Sequence, residues 1–225
     1  MSSKVLFVEG IGDVTLSKRK GQRSIRISVS GTKVKVTQPS WLPFSAGEAF
    51  ISTRIGWIQD HLKQSNAYID GQQIGISHTL KLVEGIKLSR RITDHTLLVT
   101  YPRELTMSSS VVQEYVESSV QKVLRQQAES YLPRRTQQLA DIFDFKFSSV
   151  KVRTLLRRWG SCNTKKEITF NVKLMELDAL HIDYVILHEL THTIYMNHSS
   201  EFWSHMEQVM PNARKIAKDV RHLQM

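Results

Sequence analysis

Cysteine is almost absent from this 225-residue chain: Cys162 stands alone, so no internal disulfide partner exists. That excludes the disulfide-stapled secreted scaffolds and leads us to expect a reduced, cytoplasmic protein. Long apolar runs are missing as well. Nowhere do the roughly 18 consecutive apolar residues of a membrane-spanning helix occur. The opening stretch MSSKVLFVEG lacks the apolar centre of a secretory leader. No internal repeat, low-complexity tract or glycine-rich phosphate loop is found. A chain of this length can bury a sizeable core unaided, as one large domain or as a core with an appended module.

Negative charge is in short supply. Lys and Arg number 31 against 21 Asp and Glu, for a net charge of +10. The excess is uneven: residues 1–110 carry 15 basic and 8 acidic side chains, residues 111–225 carry 16 and 13. Lys18, Arg19, Lys20 and Arg23 cluster in the first half. Such a surface can draw nucleic acid or a nucleotide, or can be the wet face of a solvated hairpin.

Apolar periodicity divides the chain near residue 105. Ser24 to Val29 alternates polar and apolar, Ser30-Gly31 offers a turn, and Lys33 to Val36 alternates again. Ser45 with Glu48 has the spacing of a capping box ahead of a helix through Phe50, Ile51, Ile55, Ile58 and Leu62. Short strands follow over 72–101. A long helix is expected from Ser108–Ser110, interrupted at Pro133, which can open a second helix to about Ile142. Val150–Leu156 and Glu167–Leu174 read as strands. Helical spacing returns from Asp178, and Pro211 leads into a last short helix. The fold class expected is α+β, with a basic β-rich region with one helix over 1–105 and a catalytic core over 106–225.

The most informative segment is Tyr184 to His198. It carries His188-Glu189-Leu190-Thr191-His192 on a helix with no other charged residue as far as Asn197. Residues four apart lie about 40° apart around a helix, so both imidazoles face one way and can share a Zn²⁺ ion. Glu189 lies about 100° round from His188, poorly placed as a ligand but able to reach a metal-activated water. Two histidines and a carboxylate on an apolar helix need partners, and a metal supplies them. A catalytic zinc site has three protein ligands and an open position. His198 is the candidate third ligand, with Glu201, His205 and Glu207 as rivals. It lies too far along for a continuous helix, so the helix should end and turn back, with Asn197 in a left-handed conformation and Ser199 or Ser200 capping the next helix. The metzincin pattern also puts a third His here, but it wants Gly where Tyr195 stands.

Arg158-Trp159-Gly160-Ser161-Cys162, the stretch Ile168-Thr169-Phe170-Asn171, the His188–His192 helix, and Asn197-His198-Ser199 followed by Phe202-Trp203 together resemble the YgjP-like zinc metallopeptidases, a family related to the SprT-like proteases. The basic hairpins, the helix with Trp57 and the long helix before Pro133 extend the resemblance over nearly the whole chain. It implies a minimal zincin-like core, one zinc ion on His188, His192 and His198, and Glu189 as catalytic base. It also suggests that the strand over 167–174 is an edge strand lining the cleft, where it can pair with an extended peptide; an interior strand is the alternative.

Arg158 and Asn171 are candidates for substrate or oxyanion contact, with an Arg158–Asp183 salt bridge as the structural alternative for the first. Trp159 is expected to pack, Cys162 to be a small buried residue with a remote possibility as a fourth ligand, and Tyr195 and His205 to be lesser candidates behind the ligands. The function expected is a zinc-dependent metallopeptidase acting on proteins or peptides. Three other readings stay open: a zinc-dependent nucleoside triphosphate pyrophosphohydrolase, a DNA-associated protease, and a binding module with structural zinc. The last is opposed by a ligand set of three histidines rather than cysteines.

Overall fold

The computed structural model describes residues 2–30, 33–64 and 67–223. The fold is α+β, with three small sheets and six α-helices among the described residues. It divides into two compact units: 1–69 with 84–88 and 101–117, and 70–83 with 89–100 and 118–225.

In the first unit, β1 (Ser3–Val8), β2 (Gly12–Arg19), β3 (Arg26–Ser30) and β4 (Lys33–Pro39) form a sheet in the order β1-β2-β4-β3. β1 and β3 run antiparallel to their neighbours, while β2 and β4 are parallel. Alternation decides its faces: Val14, Leu16, Val34 and Val36 are buried with Ile51 and Ile58, whereas Arg26 and Lys35 point to solvent. The expected Ser30-Gly31 turn includes Gly31, which lies outside the described residues.

The helix expected from Ser45 onward differs in two ways. It is split into α1 (Phe44–Ser52) and α2 (Ile55–Gln64), and the cap position of α1 is Pro43, with no side-chain cap. Glu48 is drawn away from a capping role by Lys4, whose Nζ lies 2.9 Å from its carboxylate.

The second sheet comprises β5 (Gln73–Ile74), β6 (His78–Gly85), β7 (Ser89–Ile92) and β8 (Thr96–Pro102), in the order β5-β6-β8-β7. Then comes α3 (Ser110–Phe143), a single 34-residue helix that continues through Pro133. The expected interruption does not occur. Proline removes the bond to the Glu129 carbonyl, but the buried stripe of Ala128, Leu132, Thr136, Leu139 and Ala140 stays in register across it. Tertiary burial outweighs the local defect.

The remaining elements build the site, all within the second unit. β9 (Ser149–Arg153), β10 (Gly160–Cys162) and β11 (Glu167–Asn171) form a sheet in the order β10-β11-β9. A 3-10 turn over Val172–Glu176 leads to α4 (Ala179–Thr191), α5 (Ser200–Val209) and α6 (Ala213–His222). β11 is therefore the central strand and not an edge. The edge strand on the α4 side is β10, which pairs antiparallel to β11 through Gly160↔Phe170, Ser161↔Thr169 and Cys162↔Ile168.

Candidate metal centre

α4 is fixed at both ends before it presents any chemistry. At its N-terminus Asp178 accepts the His181 N–H at 2.9 Å, a side-chain cap. One turn on, Asp183 receives both arms of Arg135 from α3, at 2.8 and 2.6 Å. Arg158, for which a salt bridge to Asp183 was the alternative reading, makes no ion pair with it. The bidentate fork from α3 occupies that carboxylate instead.

At its C-terminus α4 stops at Thr191, with His192 as the capping residue in helical geometry. The next residues tighten into a turn: Thr193 N–H donates to the Leu190 carbonyl, and those of Ile194 and Tyr195 donate to the Thr191 carbonyl. Asn197 is not left-handed, contrary to expectation; the tight bonds from 193 to 195 already reverse the chain. Ser199 then caps α5 through the Phe202 N–H, as its position suggested.

This reversal brings three imidazoles together. Nε2 of His188 lies 3.2 Å from Nε2 of His192 and 3.0 Å from Nε2 of His198. Phe202, fully buried, packs beneath all three, with ring centroids 5.0, 4.7 and 4.8 Å from those of His188, His192 and His198. The second nitrogens are engaged elsewhere. His192 Nδ1 faces the Tyr195 carbonyl at 2.9 Å, so it must donate and leave Nε2 a bare lone pair. His188 Nδ1 meets the Tyr184 hydroxyl at 3.3 Å. Lone pairs aimed at one another from such distances repel unless a cation sits among them. Zinc–nitrogen bonds of about 2.0–2.1 Å in tetrahedral array put ligand nitrogens roughly 3.4 Å apart, so the cluster can hold such an ion. Charge points the same way. Burial, reinforced by His192 and His198, pushes the His188 imidazole down to about 3, and burial lowers His192 too. Both are neutral near pH 7, as metal ligands must be.

The rivals for the third place stand outside the cluster. Glu207 accepts the N–H groups of Asn212 and Arg214 at 2.9 Å each, and Glu201 is held by the hydroxyls of Ser199 and Ser200. His205 lies edge-on to Phe145, apart from the cluster.

Glu189, 6 % exposed, borders the cluster. Burial pushes its carboxyl up to about 8, and Arg158 opposes the rise. One carboxylate oxygen, Oε2, is buried with no hydrogen-bond partner. An ion on the imidazoles would favour the charged form of that orphaned group.

A cleft of about 560 Å³ opens over the cluster. Its lining includes Arg157, Arg158, Trp159 and Gly160, then Tyr184, Val185, His188, Glu189 and His198, with Trp203, Ala217, Val220 and Arg221 opposite in sequence. Asn171, a candidate for substrate or oxyanion contact, is not among them. It is fully buried, and its side-chain amide donates to the carbonyls of Leu155 and Arg158 while its oxygen accepts from Leu155 and Lys173. It pins the 155–158 segment. Trp159 packs as expected, 8 % exposed, with Nε1 donating to the Val220 carbonyl at 3.4 Å. Cys162 is only half-buried, and burial, with Glu189, raises its thiol to about 11. Cys162 is not part of the histidine cluster.

Tyr184, Gly160, Arg157 and Arg221 were not singled out from the sequence. Tyr184 had a legible signal, since it precedes His188 by four residues on the same helical face. The others are brought in from distant segments.

A profile of the YgjP-like family, described as its metallopeptidase domain, matches residues 23–223. The chain belongs to the YgjP-like family. It is a metallopeptidase, and a peptide is its substrate class; the pyrophosphohydrolase and DNA-associated readings gain no such support. Among solved structures it is similar to the metallopeptidase zymogen abylysin of Pyrococcus abyssi, with a TM-score of 0.37 and 25% identity over 40% of this chain and 90% of that one. The zymogen jannalysin of Methanocaldococcus jannaschii gives 0.36 and 19%, over 40% and 92%. No curated protein matches. No helix among the described residues is long and apolar enough to cross a membrane.

Proposed function

We propose that this YgjP-like protein hydrolyses peptide bonds with one zinc ion held by His188, His192 and His198, and with Glu189 as general base. The observation that carries this reading is the convergence of one ring nitrogen from each of three histidines, all within 4.8 Å of one another, beside a buried carboxylate with an unpartnered oxygen. Neutral imidazoles in a compact trio suit zinc among the common divalent ions.

When bound, the ion supplies Lewis acidity towards water and towards a carbonyl oxygen. The protein residues do the rest. Tyr184 and the Tyr195 carbonyl hold the second nitrogens of His188 and His192, fixing which nitrogen of each faces the ion. Glu189 takes the proton from the attacking water on its carboxylate and returns it to the departing amine nitrogen. Phe202 keeps water from beneath the imidazoles. The outer edge of β10 is the segment an extended peptide would join, which would carry it past Glu189. In this scheme residues 106–225 form the catalytic core and residues 1–105 a basic accessory region. The lone thiol fits a cytoplasmic setting.

The test is Glu189→Gln, assayed on casein, with nucleoside triphosphates as parallel substrates. Casein cleavage should vanish while one zinc ion per chain persists by elemental analysis. Undiminished proteolysis in that variant overturns the assignment of Glu189. Turnover of nucleotides alone overturns the peptidase.

A further inference from the structure

We propose that the cleft selects peptides carrying a carboxylate close to the scissile bond, gripped by Arg157, Arg158 and Arg221. This rests on the peptidase reading above and adds its substrate class.

Arg157 and Arg158 come from the segment entering β10, Arg221 from α6, and all three line the cleft. Against them, Glu189 is the one acidic residue in the lining. None of the three makes an ion pair or a side-chain hydrogen bond among the described residues. In the same unit Arg135 is paired with Asp183 and Arg125 with Glu129. What sets the three apart is their shared place in the lining of one cleft. Basic side chains around one concavity, with two sequence-distant segments supplying them, make a positively charged lining that an anion complements. Guanidinium groups match a planar carboxylate in bidentate fashion, which an ammonium does not. A carboxylate also complements a centre that gains two positive charges with its metal. Asn171 gives the arrangement some rigidity, because its amide ties down the Leu155 and Arg158 carbonyls.

Two sources supply this chemistry: an Asp or Glu side chain flanking the cleaved bond, or the terminal carboxylate of a short peptide. The bland alternative is that these arginines merely share in the +10 charge of the chain. Lys81, exposed on β6 and outside the cleft, is the control for that.

The experiment uses the full zinc-loaded chain and three fluorogenic peptide sets: amidated with flanking Asp or Glu, amidated and neutral, and neutral with a free C-terminus. Carboxylate-bearing peptides should exceed amidated neutral ones in kcat/KM by about tenfold. The Arg158→Gln/Arg221→Gln double variant should lose most of that ratio, and Arg221→Gln alone part of it, while Lys81→Gln keeps it. Preference for the first set identifies the side-chain source, and preference for the third identifies the terminus. Equal rates on all three sets overturn the inference and leave the peptidase standing. Fluorescence anisotropy with the Glu189→Gln protein separates the two ideas further. Arginine-dependent preference in binding, with no cleavage by the parent protein, sustains the carboxylate site and ends the peptidase. Indifferent binding ends the carboxylate site.

Discussion

A methyl group on Gly160 would stand 2.8 Å from both Cγ and Oε1 of Glu189. β10 thus approaches the Glu189 side chain so closely that a Cβ at position 160 fits only if something shifts. Gly160→Ala must either push Glu189 aside or lift the strand. We expect kcat/KM on peptides to fall about a hundredfold, since small misplacements at a reacting centre carry that cost. Zinc content should be unchanged, because the atoms nearest the added methyl belong to Glu189 and not to the three histidines. Wild-type turnover in Gly160→Ala would show that the strand is free to retreat.

Tyr184 is the partner of His188 Nδ1. Tyr184→Phe keeps the ring and deletes the hydroxyl. Zinc affinity should drop about tenfold, the usual scale for losing an outer partner of a histidine ligand. Competition with a fluorescent chelator measures it; unchanged affinity would mean that packing alone orients the imidazole.

Phe202 lies against all three imidazoles and is fully buried. Phe202→Leu should lower stability by about 1–2 kcal/mol, as imperfect volume matches in a core do. Its distinguishing effect is on the metal: zinc should bind more weakly, as the platform that holds the trio becomes smaller. Calorimetric melts with and without zinc read both quantities, and a zinc-induced rise in Tm equal to that of the parent would refute the platform.

Asp178 caps α4, and its carboxyl is held below the usual range, first by the His181 N–H. A lowered folded-state pKa stabilises the fold above the ordinary carboxylate range, and that contribution is lost as pH falls through the folded value. Asp178→Ala should cost about 1 kcal/mol near neutrality, a Tm loss of about 2–4 °C for a chain of this size. Near pH 2 the two proteins should converge. A gap that persists in acid would place the effect outside the cap.

Much of the site was legible before any coordinates. The spacing of His188, Glu189 and His192 needs only helical geometry, and Ser199 only the chemistry of a cap. Local signals failed where something distant competed for the same group. Glu48 had capping-box spacing, but Lys4 holds it. Pro133 resembled a helix break, but the buried stripe carried the helix through. A salt bridge from Arg158 to Asp183 was one of two readings, but the fork of Arg135 fills that carboxylate. Edge and interior places were both open for the 167–174 segment, and the sheet order places β11 in the middle.

The α+β character, the direction of the two helical imidazoles and the lack of disulfide and spanning helix were determined by the sequence itself, because each depends on covalent neighbours and a fixed periodicity. Tertiary structure alone decided that Gly160 meets Glu189, that Asn171 ties down the Leu155 and Arg158 carbonyls, and that Arg157, Arg158 and Arg221 gather at one opening. Those relationships join separate segments of the chain, and only the packing of β10, β11, α4 and α6 gives them a common place.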